Sequence, residues 1–145
     1  MKFYSILTSI IFALLITGCN DNKDFTPIKK GESLEMDPEC KMGMCSWTKI
    51  ESINVSPLDK DALSVEIKAR YSSTENDDVK PKDWSEGEIL KITCSKTAPS
   101  YDGTPLNIKS NIATSGAEMS AVEMYFAVCH SFTGDVETAK EKYKY

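Results

Sequence analysis

The run from Leu63 to Tyr71 constrains the fold of this chain more than any other stretch. Leu63, Val65, Ile67, Ala69 and Tyr71 alternate with Ser64, Glu66, Lys68 and Arg70. Successive side chains of a strand point to opposite faces, so this pattern buries one face and wets the other. A helix would scatter the same residues around its circumference. The chain must therefore contain a sheet and a second layer to cover its apolar side.

The flanking segments supply both. Trp47 to Val55 is rich in β-formers but alternates unevenly, which predicts a strand bulged near Glu51-Ser52. Ser56 to Asp61 is turn chemistry, so the two runs read as an antiparallel hairpin. Glu88 to Ser95 predicts a third strand with Leu90, Ile92 and Cys94 on one face. Pro99 to Gly103 is a turn, and Leu106 and Ile108 mark a short fourth strand. Then the period changes. Ala117 to His130 holds no Gly or Pro, and Ala117, Ala121, Met124, Tyr125 and Val128 fall at helical spacing. Ser115 is the expected N-cap, with Glu118 as its capping-box partner. After Gly134, acids precede bases through Asp135, Glu137, Lys140, Lys142 and Lys144, an order that suits a helix dipole. That segment is short and polar, which predicts a frayed terminal helix or a tail over 135–145. The expected class is α+β: a small antiparallel sheet of about four strands, packed by one main C-terminal helix and stapled by disulfides, over residues 37–134.

The first residues carry an address. Lys2 precedes an apolar run from Ile10 to Ile16, and nothing charged interrupts Phe3 to Gly18. This is the layout of a secretory signal, and the run is near or under the ~17 residues that a membrane-spanning helix needs. Its end, Ile16-Thr17-Gly18-Cys19, resembles the lipobox of bacterial lipoproteins. The resemblance implies a signal peptide over 1–18, cleavage before Cys19, lipid on the Cys19 thiol and acylation of the new amino terminus. Asn20, not Asp, follows Cys19. By resemblance to the sorting rule of Gram-negative lipoproteins, that implies the outer membrane. Residues 19–36 are polar, carry Pro27 and Gly31, and show no period, so they read as a lipidated tether. The remaining 127 residues hold 16 basic and 22 acidic side chains, a net charge of −6. That balance argues against nucleic acid and against binding anionic lipid by charge. Membrane attachment is then left to the lipid on Cys19.

With Cys19 acylated, Cys40, Cys45, Cys94 and Cys129 remain, and an even number in an exported chain predicts two disulfides. Of three pairings, Cys40–Cys45 and Cys94–Cys129 are favoured. Gly43 lets the short loop close, and Cys94 and Cys129 both fall on elements expected to face the core. The sequence Cys94-Ser95-Lys96 with Pro99, followed later by Tyr125 to Cys129-His130, also resembles a pattern in small exported proteins of Gram-negative bacteria. It implies that Cys94 and Cys129 belong together and carries no activity. The segment from Met36 to Cys45 has a second reading. Met42 and Met44 beside reduced Cys40 and Cys45 would offer the soft ligands that Cu(I) prefers. As a disulfide loop, its methionines simply cover nearby core.

No nucleophile elbow, zinc-protease, P-loop or dinucleotide motif occurs, so no catalytic residue and no cofactor are expected. His130 is the only histidine. It falls at a helix C-terminus, where an imidazolium gains ~0.3–1 kcal/mol, and reads as structural. Glu75, Asp77 and Asp78 lack calcium-loop spacing and read as a solvated loop. Trp47, Trp84, Tyr101, Tyr143 and Tyr145 are candidate anchors for a partner. The expected function is a non-enzymatic, lipid-anchored envelope protein that binds another protein, as an inhibitor, immunity factor or assembly accessory. The alternative is a copper- or small-ligand-binding lipoprotein built on residues 36–45.

Overall fold

A computed structural model describes residues 24–109 and 116–145. Cys19 and its lipobox, Asn20 and Ser115 lie outside the described residues.

The long hairpin dominates. β3 (Met44–Asp59) and β4 (Ala62–Thr74) pair antiparallel along nearly their whole length, and β4 pairs β5 (Glu88–Ser95) on its other side. Val65, Ile67 and Ala69 are fully buried, whereas Glu66 is exposed and Lys68 half-buried. The register of β3 shifts between Ser52 and Asn54. That bulge flips the parity of the strand, so Ile50 and Ser52 lie opposite Ala69 and Ile67 while Val55 lies opposite Val65. The uneven alternation of Trp47 to Val55 is this bulge read in sequence. Among the described residues, Pro57 sits where β4 is the only neighbour of β3, an edge position that a residue without an N–H can occupy.

Four further strands complete one antiparallel sheet: β1 (Ser33–Glu35) and β2 (Glu39–Lys41) on β3, then β6 (Ser100–Tyr101) on β5 and β7 (Thr104–Pro105) on β6. The described sheet thus has seven strands rather than about four. The additional strands are two or three residues long, too short to show an alternation. Leu106 and Ile108 form no strand; the hairpin lies just before them, around Asp102 and Gly103 in left-handed conformations.

Two helices follow, α1 (Gly116–His130) and α2 (Val136–Tyr143), and the α+β class holds. In α1 the burial departs from the expected stripe. Ala117 is exposed, while every residue from Met124 to His130 is buried. The C-terminal half of α1 is enclosed on several sides: by the disulfide Cys94–Cys129 to β5, by Phe25 and Ile28, and by α2.

Two expected boundaries move. The stretch read as part of a tether, 19–36, is built into the domain from at least Phe25. Phe25 and Ile28 are buried, the Thr26 and Ile28 amides donate to the Cys129 and Val128 carbonyls, and β1 follows. Its apolar residues fill separate gaps and so share no period. The segment 135–145 forms the helix that is one of its two expected forms, and that helix is docked instead of frayed. Asp135 caps α2 by accepting from the Thr138 amide, Val136 and Ala139 are buried, and Tyr143 and Tyr145 pack on the core. The polar majority of that segment hides two aromatic anchors at its end.

Candidate functional site: an acidic cleft beside the first turns of α1

Where α1 begins, the packing stops being complete. The helix offers Ala117, Ser120 and Ala121, and the sheet offers Ser46, Thr48 and Tyr71. Small side chains facing small polar ones leave an open cleft of about 400 Å³. Interiors elsewhere are filled because large residues interdigitate.

The strands place each wall. Thr48 and Tyr71 are direct cross-strand partners on β3 and β4. The segment before β5 then fixes Tyr71. The Tyr71 amide donates to Ser85 Oγ at 2.9 Å and the Ser85 amide to the Tyr71 carbonyl at 2.9 Å. Gly87 lets that segment lie so close, because a Cβ there would stand 2.7 Å from the Ala69 carbonyl oxygen. The Tyr71 hydroxyl donates to Glu88 Oε1 at 2.7 Å. Burial first, and then this bond to a carboxylate, hold the Tyr71 phenol well above its usual range, so it stays a donor. Tyr101 completes this side and is shifted in the same direction, mainly by burial.

The other side is acidic. Met36, Asp37, Glu39 and Glu123 line the cleft and also a second hollow of about 240 Å³, which continues to Asp135. The carboxyl of Glu123 is pushed up to about 7. Burial is the largest cause, followed by its hydrogen bond with Glu39 and by the charge of Glu39; Lys41 opposes the shift. Burial and the neighbouring Glu39 both disfavour the Glu123 carboxylate, so Glu123 keeps its proton to higher pH than a free carboxyl. Asp135 moves the other way, held low by hydrogen bonds from Thr138. The result is a groove lined by phenols, by carboxyl groups and by the thioethers of Met36 and Met124. Such a groove can take a cationic group with an apolar stem.

Among the described residues, the expected disulfide and metal positions and His130 do not line this groove. His130 is buried in an aromatic cage. It stacks on Tyr143 at 4.0 Å and lies 5.3 Å from Phe25, and its Nε2 is 3.1 Å from the Tyr145 hydroxyl. Burial, helped by the charge of Lys96, holds it down to about 4. The expected benefit of an imidazolium at the helix end is therefore reversed, because desolvation outweighs the dipole. Cys94–Cys129 ties β5 to α1, and Cys40–Cys45 bridges facing residues of β2 and β3. With that second bond formed, the copper alternative at Met42, Met44, Cys40 and Cys45 lacks its two thiolates. Trp47 is buried with its indole N–H on Thr74 Oγ1, Trp84 is half-buried, and Tyr143 and Tyr145 belong to the cage. Of the candidate anchors, Tyr101 is the one that lines the groove. Sequence reasoning passed over Glu39, Tyr71 and Glu123. Glu123 did leave a signal: it is an acid inside the apolar half of a helix, one place before Met124.

No protein-family model, curated protein or solved structure matches this chain. Among the described residues, no helix is long and apolar enough to cross a membrane.

Proposed function

We propose that this chain is a lipid-anchored protein of the bacterial cell envelope, held at the outer membrane by the lipid on Cys19. It is non-enzymatic and binds a basic segment of another protein in the acidic groove. The main helix packed on the sheet is the scaffold, and its incomplete first turns are the binding feature. One observation carries the binding reading: the cleft that Ala117, Ser120 and Ala121 leave open against Thr48 and Tyr71, bordered by Glu39 and Glu123. The address is supported by Ile16-Thr17-Gly18-Cys19 and by two disulfides, which persist in oxidising compartments.

The test fills the groove and leaves the core alone. Ala121→Trp places an indole in the cleft, and envelope proteins retained by the wild-type chain and the variant are compared at low and high salt. The reading expects a basic protein that is retained by the wild type, weakened by salt and lost with the variant. Equal retention by both would overturn it. For the address, a Cys19→Ala chain should leave the membrane fraction, and retention of a cleaved Cys19→Ala protein in the membrane pellet would remove the lipid from the reading.

A further inference from the structure

The tip of the β2–β3 hairpin holds Met42 in a conformation that methionine does not favour. Lys41 and Met44 are paired, and the two-residue loop between them has Met42 at φ 53° and Gly43 at φ 79°. Such primed turns are filled best by Asn-Gly or Asp-Gly, because a side chain other than Asn or Asp is strained at positive φ. Methionine gains nothing in return from packing. Met42 is fully exposed and Met44 is 50% exposed, and the space beside Gly43 is open. Behind the tip, Cys40 and Cys45 face each other and are bonded, so the loop is tied in place. The other described methionines are withdrawn: Met124 is buried, and Met36 and Met119 are partly buried against the core. A strained, contact-free side chain on a clamped loop points to a role outside the fold.

We propose that Met42, followed by Met44, is a reversible oxidation site for peroxides. The lone pair of the thioether sulfur attacks one peroxide oxygen, and the O–O bond breaks. Sulfur gives up two electrons and gains that oxygen as a sulfoxide, and the other oxygen takes a proton and leaves as water when the oxidant is hydrogen peroxide. Access sets the order of such reactions, and sulfoxide reductases return the thioether. The neighbouring cysteines are already joined and offer no thiolate to compete. A sulfoxide is polar, so at an exposed tip it displaces no core contact, whereas at Met124 it would disrupt packing.

The experiment exposes the full chain, disulfides intact, to graded hydrogen peroxide and follows each methionine by peptide mass mapping. Met42 should be oxidised first and Met44 second, with Met124 at least about tenfold slower than Met42. The first oxygen should leave the thermal midpoint unchanged. In urea the rates should converge, because the fold no longer protects any site. Met42→Leu should lose the first oxygen and leave the remaining order intact. Oxidation of Met36, Met119 or Met124 as fast as Met42 in the folded chain would overturn the proposal, as would rates that stay different in urea or a midpoint that falls with the first oxygen.

Discussion

The two ends of α1 meet different surroundings and solve opposite problems. At the C-terminal end, Tyr125, Phe126 and Val128 share a buried cluster with Val65, Ile67 and Ile92, closed on one side by Phe25 and Ile28 and packed by Tyr143 and Tyr145. At the N-terminal end, Ala117, Ser120 and Ala121 meet Ser46, Thr48 and Tyr71, and a cleft remains. Side-chain volume, not backbone architecture, decides which stretch is core and which is groove. The polar groups divide in the same way. The closed end buries the Ser52 hydroxyl and His130 Nδ1, which have no hydrogen-bond partner among the described residues. The open end holds the Glu123 carboxyl, raised to about 7, beside Glu39.

The sharpest test of this division is to cut each staple. The Cys94–Cys129 bond spans 35 positions and joins the closed end of α1 to β5, whereas Cys40–Cys45 spans 5 and closes only the hairpin tip. On loop entropy, replacing Cys94 and Cys129 by Ala removes ~4 kcal/mol, and the same change at Cys40 and Cys45 removes ~2 kcal/mol. Urea unfolding of the two double variants should show that ordering. Equal losses would mean that the hairpin tip matters as much to the core as the helix does.

Next in size is His130. Its folded-state value lies near 4, below the ordinary 6.5, so the unfolded chain takes up a proton that the folded chain refuses. Stability is therefore full above about 6.5 and falls as the pH drops towards 4. The imidazole is 3% exposed, so the loss is ~3 kcal/mol across that window. His130→Phe should abolish this acid slope in urea midpoints. An unchanged slope would show that the cage admits the charge, and the closed end would not be closed. A smaller contrast lies on α1 itself. Ala127 is fully buried and Ala121 borders the cleft. Ala127→Leu should cost ~1–3 kcal/mol by overpacking, and Ala121→Leu should stay within ~0.5 kcal/mol. Comparable costs would mean that the groove is not open space.

The closed end was largely legible in the sequence, and the open end was not. The alternation of Leu63 to Tyr71, the irregular strand before it and the Cys94–Cys129 pair all reappear in the structure, because period and chain connectivity leave marks that one sequence shows. What sealed that end was hidden. Phe25 and Ile28, and Tyr143 and Tyr145, are single plugs set in polar stretches, and a lone apolar residue has no period. The groove was hidden for a different reason. It arises where small and acidic residues on β2, β3 and α1 meet Tyr71 on β4 and Tyr101 on β6, and only the fold brings Glu39 beside Glu123. Tyr71 reads as one more inward residue of its strand, yet it is 39% exposed because nothing large on α1 covers it.

The smallest expected effect tests the open end. Glu123 has its folded-state value raised from 4.5 to about 7, so the folded chain holds a proton that the unfolded chain releases. Its contribution is present below about 4.5 and is lost as the pH rises through 7, the reverse of His130. The two slopes therefore oppose each other between about 4.5 and 6.5 and flatten the pH profile of the wild type there. Glu123→Gln removes one of them. The variant should show the His130 slope alone, a steeper fall towards acid, and should gain stability near pH 7 where the carboxyl pair no longer repels. Water reaches Glu123, which is half-buried, so this gain should be well below the His130 effect. Glu39→Gln should reproduce part of it by leaving Glu123 a neutral neighbour. If both variants keep the wild-type profile, the Glu123 carboxyl is not raised by burial and by Glu39. It would then stand ionised in the groove, and a basic ligand would bind it with no proton released.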